Sequence, residues 1–395
     1  LESWLTRVET EPGVARTTPS WGAGMMLDWG DYDLDGYVDV LIGDLIAPSR
    51  LYRNKGDGTF EDVTAEAGLN VPSGTVGLAF GDYNGDGYDD IALQGLGFMR
   101  LFRNDGDGTF TEVTESAGLS LGEDVNGYMT FFFDFNRDGH LDLFAGRWGT
   151  SLSSTFIRHD LVDDEWRASS TIYMNKGDGT FVDLWAETRF LPFGSMGTNY
   201  VDWDNDGCPD IILATGGPTL HWIQPFLMYK NNCDNTFTPV NPIADIANFG
   251  KGHGTAAADI DRDGDLDLAI NSGGYWPGGV FRSMVLRNTG TPGNGWIEVS
   301  LKGAGNQNTI GACVQLSYVK GGKTYTPKEC LRTGGRFGAV NSLRLHFGLG
   351  AGVCEISELT VSWPRKSKKK TVLKNIAPNQ AIEISEESST YRKLW

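Results

Sequence analysis

The sequence predicts an all-β fold: a five-bladed β-propeller closed by its own N-terminal strand and followed by a small β-sandwich domain. Three observations carry this expectation. A nine-residue acidic loop recurs five times along the first part of the chain. Each loop lies in a larger unit that reads as four short strands. From about Trp296 the acidic loops stop and a different strand texture begins.

The first acidic loop, DYDLDGYVD, places Asp31, Asp33, Asp35 and Asp39 at alternate positions around Gly36. Side chains so spaced on a tight loop point at one centre, the glycine permits the sharp turn, and the carbonyl of Tyr37 adds a further oxygen. Hard oxygen ligands in this number suit Ca2+. The same pattern gives Asp82, Asn84, Asp86, Tyr88 and Asp90, then Asp134, Asn136, Asp138, His140 and Asp142. It returns in Asp202, Asp204, Asp206, Cys208 and Asp210, and in Asp259, Asp261, Asp263, Asp265 and Asp267. The seventh residue of each loop contributes its carbonyl. The flanks are short and alternating, as in strands, so these are not helix-flanked EF-hands.

The loops begin at 31, 82, 134, 202 and 259, and most are followed by a strand–turn–strand signature such as LYRNKGDGTFEDV or LFRNDGDGTFTEV. A four-stranded unit repeated at about this period is a propeller blade. The fifth unit lacks its last strand, and LTRVETEPGV (5–14) matches that strand elsewhere, so the N terminus is expected to close the ring. The expected division is a propeller over 1–293, a β domain over 294–386 built on WIEVSLKG, CVQLSYV and LTVSW, and a frayed tail over 387–395.

The net charge of −18 matches in number the 18 carboxylates that the loops supply, so the acidity reads as a metal requirement; about five bound Ca2+ would reduce it to about −8. That charge disfavours nucleic acid as a partner, and no apolar run is long enough to cross a membrane. A chain that starts at Leu1 suits a processed protein. Ca2+ loops of this kind work where Ca2+ is abundant, so a secreted or extracellular location is expected, periplasmic in a bacterium. Five cysteines allow two bridges: Cys208 with Cys233 between two turns of one blade, and Cys313 with Cys330 across a hairpin. Cys354 is left free.

The repeat resembles the FG-GAP/VCBS type of integrin-like Ca2+ propeller. The C-terminal segment is similar to ASPIC/UnbV domains in NGWIEVSLKG (294–303), Ile310-Gly311-Ala312, LHFGLG (345–350), LTVSWP (359–364) and Asn379-Gln380. This order is that of the cartilage acidic protein-like family, and the resemblance implies a Ca2+-bound propeller. Arg365-Lys366 stand where Ser-Gly is usual, and Cys313 where Arg is usual.

On the face opposite the metal loops, the long connections 147–170, 215–226 and 273–281 carry Arg147, Trp148, Trp166, Trp222, Tyr275 and Trp276, with His159, His221 and His253 on or near them. Aromatic walls with few polar groups describe a site for a small-molecule, glycan or protein ligand; the same residues also suit a packed plug in the channel. Two functions follow. One is a secreted binding or scaffold module. The other is a lyase, cyclase or isomerase in which the aromatic rings stabilise positive charge and a histidine moves protons. No GxSxG, HExxH, P-loop or CxxC motif occurs. The basic run Arg365 to Lys370 reads as a solvated turn or a polyanion patch.

Overall fold

A computed structural model describes residues 24–121, 125–149, 169–190, 195–215, 224–240, 249–250, 252–272, 283–305, 308–334, 339–388 and 390–395. The chain is all-β, with one short helix, Trp185–Thr188, among the described residues. The expected unit of strand, metal loop, strand, connection, strand, turn and strand is seen directly. The first sheet is the antiparallel meander Gly24–Gly30, Asp39–Asp44, Arg50–Asn54 and Phe60–Asp62. The second runs Thr75–Gly81, Asp90–Gly95, Phe98–Asn104 and Phe110–Glu112.

A third sheet follows from Val125–Phe133, Asp142–Gly149, Thr171–Asn175 and Phe181–Asp183, and a fourth from Ser195–Val201, Asp210–Thr215, Leu227–Asn231 and Phe237–Pro239. The fifth has three strands among the described residues, Gly252–Ala258, Asp267–Ser272 and Met284–Leu286. The N-terminal segment expected to complete it lies outside the described residues.

Burial follows strand position. Every residue of Thr75–Gly81 is buried, because this first strand has neighbours on both faces, whereas the last strand, Phe110–Glu112, buries only Phe110 and turns Thr111 and Glu112 to water. Glycines let successive sheets approach. A Cβ on Gly77 would collide with the Tyr128 carbonyl of the next sheet, and one on Gly81 with the Phe132 ring.

The sheets are also linked in series by one residue type. Asn104 Nδ2 donates to the Tyr32 carbonyl in the preceding metal loop (2.9 Å) and to the Asp89 carbonyl in its own (3.0 Å). Asn175 does the same to Tyr83 (2.8 Å) and Leu141 (3.0 Å), Asn231 to Phe135 and Pro209 (both 3.0 Å), and Asn288 to Trp203 (2.6 Å) and Leu266 (3.2 Å).

The C-terminal domain is a two-sheet sandwich. One sheet orders Arg344–Ala351, Asn294–Lys302, Gln380–Ser385 and Tyr391–Lys393, with the second and third strands parallel. The other orders Lys323–Tyr325, Cys313–Lys320, Ile356–Ser362 and Lys370–Ile376, with Lys328–Cys330 also paired to the second of these. Ile297, Val299, Val314, Phe347, Leu359 and Ile382 fill the space between. The expected frayed tail is corrected. Tyr391–Lys393 pairs with the edge of Gln380–Ser385, whose backbone groups would otherwise lack partners, and the Trp395 ring lies against Arg262 and Arg344.

The asparagine links generate a prediction. Asn175→Ala leaves two buried carbonyls without a donor and should lower stability by about 1–3 kcal/mol in urea unfolding, while the exposed Glu66→Ala should stay within about 0.5 kcal/mol. Equal effects of the two substitutions would show that the links carry no weight.

Candidate metal centres

The five acidic loops share one backbone. The fourth position is left-handed in each (Leu34 φ 56°, Gly85 75°, Arg137 63°, Asn205 57°, Arg262 66°), and so is the sixth, always glycine (φ 91° to 100°). A side chain at that sixth position would be strained, which is why glycine recurs there. The turn is closed by the glycine N–H donating to the first aspartate: Gly36 to Asp31 Oδ2 at 3.0 Å, Gly87 to Asp82 at 3.1 Å, Gly139 to Asp134 at 3.0 Å, Gly207 to Asp202 at 2.9 Å and Gly264 to Asp259 at 3.0 Å. The ninth aspartate ties the loop to the third strand: the N–H of Asn54, Asn104, Asn175, Asn231 and Asn288 donates to Asp39, Asp90, Asp142, Asp210 and Asp267 at 2.7–2.8 Å.

This geometry crowds carboxylates. Ligand oxygens of Asp31, Asp33 and Asp39 lie within 4.8 Å of one another, as do those of Asp202, Asp204 and Asp206 and of Asp259, Asp261 and Asp263. In the second and third loops an amide intervenes, Asn84 donating to Asp86 and Asn136 to Asp138, both at 2.9 Å. Burial pushes Asp31 up to about 7, with repulsion from Asp35 adding to it, and pushes Asp39 up to about 8. Burial likewise raises Asp134 and Asp202 to about 7, and holds Asp90, Asp142 and Asp210 well above the ordinary carboxylate range. Asp31 Oδ1 and Asp82 Oδ1 are buried without a hydrogen-bond donor. Donor-less buried oxygens beside further carboxylates fit a hard divalent cation, and Asp31, Asp33, Asp35, Asp39 and the Tyr37 carbonyl would hold one in the first loop.

The seventh residue also has a packing role that its sequence position did not reveal. A Cβ on Gly56 would strike the Tyr37 ring, one on Gly106 the Tyr88 ring and one on Gly177 the His140 ring. The loop therefore rests on the glycine turn of the same sheet. In the fourth sheet this contact is covalent: Cys208 and Cys233 are disulfide-bonded, with Cα atoms 5.7 Å apart, and Cys233 takes the glycine's left-handed φ of 61°. The structure also joins Cys313 to Cys330 and leaves Cys354 free and exposed.

The C-terminal domain touches all five loops, which places them on one face of the sheets. Asn308 Nδ2 donates to the Gly36 carbonyl (3.0 Å), Lys368 Nζ to that of Asp86 (2.6 Å), Thr326 Oγ1 to that of Asp138 (3.2 Å) and Lys320 Nζ to that of Asp206 (2.7 Å). A Cβ on Gly264 of the fifth loop would collide with the Trp296 ring. Charged pairs lie inside this joint. Arg332 grips Asp89 with two hydrogen bonds of 2.6 Å. The buried Arg137 lies 3.6 Å from Asp202 and 3.8 Å from Glu329. Neither Arg332 nor Arg137 was singled out from the sequence; the only sign was Asp89 at the eighth position, where the other loops carry Val38, Leu141, Pro209 and Leu266.

The basic run is not a fully solvated turn. Arg365 is buried on Glu386 (2.9 Å), Lys369 donates to the Glu386 carbonyl, and Lys368 lies over the Tyr88 ring.

On the opposite face, Arg147 is 4% exposed. It donates to the Ser120 carbonyl (3.0 Å), to Asp183 (3.3 Å) and to the Tyr173 hydroxyl, so its guanidinium is held inside the third sheet. Its reading as a ligand contact is corrected on this ground: the charge is already answered within the protein. His253 is half-buried on Gly252–Ala258. Trp148 ends a described strand, but its side chain is outside the description, as are His159, Trp166, His221, Trp222, Tyr275 and Trp276 altogether.

An FG-GAP-like repeat model matches residues 17–93, 94–145 and 202–270, and an ASPIC and UnbV model matches 302–391. The chain belongs to the FG-GAP/UnbV family. Cartilage acidic protein 1 of Xenopus tropicalis is 29% identical over 368 residues, covering 91% of this chain and 44% of the relative; the Homo sapiens protein is 27% identical over 254 residues, covering 63% and 36%. The chain thus spans less than half the length of these curated relatives. Among solved structures, an Agrocybe aegerita lectin that recognises non-reducing terminal N-acetylglucosamine aligns with a TM-score of 0.37 at 18% identity, over 68% of this chain and 67% of that one. The six-bladed Aleuria aurantia lectin aligns at 0.34 and 10%, over 85% and 86%.

The raised carboxylates set a pH dependence. A group whose folded pKa lies above its unfolded value binds more protons when folded, so its stability contribution is lost as pH rises through the folded value. For Asp31, Asp39, Asp134 and Asp202 that loss runs upward from the ordinary value of 3.8 and is complete only above about pH 7 to 8. Buried His346, depressed to about 3, acts in the opposite sense, but its effect is complete above about pH 6.5. In chelator, urea unfolding at pH 8.5 should therefore show more than about 1 kcal/mol less stability than at pH 6.5. Equal or greater stability at pH 8.5 would contradict it.

Proposed function

We propose that this chain is a calcium-stiffened β-propeller scaffold that works outside the cell. In this reading five blades span residues 1–293, closed by the N-terminal strand, and the ASPIC/UnbV domain runs from 294 through the strand Tyr391–Lys393. Ca2+ would neutralise the loop carboxylates, and the ninth aspartates and the glycine N–H groups hold those carboxylates in place for it.

The observation that carries the reading is the seating of the C-terminal domain on all five metal loops through Asn308, Lys368, Thr326, Lys320 and Trp296. An ion in such a loop stands at a joint between two parts of the molecule, where it serves rigidity rather than capture of a ligand from solution. The exposed working surface is then the opposite face, where the 147–170, 215–226 and 273–281 connections supply aromatic residues for a small-molecule, glycan or protein ligand. Two disulfides accord with an oxidising compartment, and no helix among the described residues is long and apolar enough to cross a membrane.

Two measurements test this. Addition of Ca2+ to chelated protein should raise stability by about 2.7 kcal/mol for each site at a hundredfold excess over its dissociation constant, seen as a large rise in melting temperature. No rise in Ca2+ would remove the metal from the reading. Trp222→Ala and Trp276→Ala should abolish capture in a glycan and protein binding screen with melting temperature nearly unchanged. A loss of about 3–5 kcal/mol in both would assign these rings to packing instead.

A further inference from the structure

The third strand of each sheet places a side chain beside the metal loop just before the linking asparagine: Arg53, Arg103, Met174, Lys230 and Arg287. Three of these leave the carboxylate cluster open. Arg53 turns away to Glu61 (2.7 Å) and Arg103 to Asp105 (2.7 Å), and Met174 carries no charge. Arg287 reaches Asp261 and lies 3.9 Å from Asp263, but from outside, with 71% of its side chain exposed. Lys230 differs. Its ammonium lies 2.8 Å from Asp204 Oδ1, 2.7 Å from Asp206 Oδ2 and 3.4 Å from Asp210 Oδ1, with only 20% of the side chain exposed.

We propose that the fourth loop carries its own cation, the Lys230 ammonium, and folds and docks without taking up Ca2+. The inference rests on the reading that the other loops hold Ca2+. An ammonium with N–O distances of 2.7–2.8 Å occupies nearly the place of an ion that sits about 2.3–2.6 Å from its oxygens, so the two cannot share the cluster. The remaining ligand, Asp202, already accepts from the N–H groups of Asp206 (3.1 Å) and Gly207 (2.9 Å) and faces the Arg137 guanidinium. Arg137 Nε also donates to the Gly207 carbonyl, and Lys320 Nζ donates to that of Asp206.

A second, independent feature points the same way. The fourth sheet alone among the described residues joins its loop to the neighbouring turn by a disulfide, Cys208 to Cys233. A covalent tie and an internal cation together supply what a bound ion supplies elsewhere: neutralised charge and a fixed turn.

The test is Ca2+ content of the full chain by elemental analysis after equilibration with the metal, with circular dichroism to confirm folding. The natural chain should bind one ion fewer than its five loops. Asp206→Ala should leave that count unchanged, Asp35→Ala, at the same place in the first loop, should lower it by one, and Lys230→Met, which copies the third sheet, should raise it by one. A full complement in the natural chain, a loss on Asp206→Ala or no gain in folded Lys230→Met would overturn the proposal while leaving Ca2+ in the other loops. No ion in the natural chain would overturn the underlying reading and this inference with it. Should Lys230→Met fail to fold, Asp206→Ala decides alone.

Discussion

Like charge gathered in little water is the constraint on which the rest of this molecule depends. Each acidic loop gathers oxygen-bearing side chains, and its ninth aspartate, with the first in four of the five loops, is buried. Such a cluster is unfavourable while ionised, which the upward displacement of Asp31, Asp39, Asp134 and Asp202 expresses directly. The loops nevertheless hold one conformation, because backbone N–H groups donate to these carboxylates at fixed points. Metal, ammonium and guanidinium are alternative ways of completing the same electrostatic requirement, and the structure shows the last two at the fourth loop.

The second domain extends that logic. Its contacts to the loops go largely to carbonyl oxygens, and three of the donors named above are cationic or amide side chains reaching across the joint. Arg332 and Arg137 insert charge where Asp89, Asp202 and Glu329 would otherwise be buried alone. Breaking such pairs singly would be costly, since each leaves a buried charge uncompensated. The joint is therefore selective for both partners being present, and the loops and the sandwich are best regarded as one unit.

The fold and the loops were legible because their determinants are local. Alternation of aspartates over nine residues, a glycine at the sixth place and a Gly-Asp-Gly turn specify backbone shape within a few residues, and the disulfide partners follow from two turns sharing a blade and from one hairpin. Four things were not legible. Docking of the second domain joins residues more than a hundred positions apart through carbonyls, which every residue has. The direction taken by Lys230 cannot be told from its type, since Arg53 and Arg103 occupy equivalent places and turn outward. Arg147 looked like a ligand contact because a long connection begins there, yet Tyr173 and Asp183 already hold it. The expected tail failed for a similar reason: polarity suggested fraying, but an open sheet edge beside it offered pairing.

The position of Trp395 has a practical consequence. Its backbone closes on Ala381, and its ring lies 5.1 Å from the Arg262 guanidinium of the fifth loop and 4.5 Å from that of Arg344. Whatever chain follows this residue, natural or appended, departs from the seam between the sheets and the sandwich. A purification tag or fluorescent fusion placed there would press on that seam, so immobilisation for binding work is better made elsewhere, such as the outer edge of the second sheet, where Thr111 and Glu112 face water.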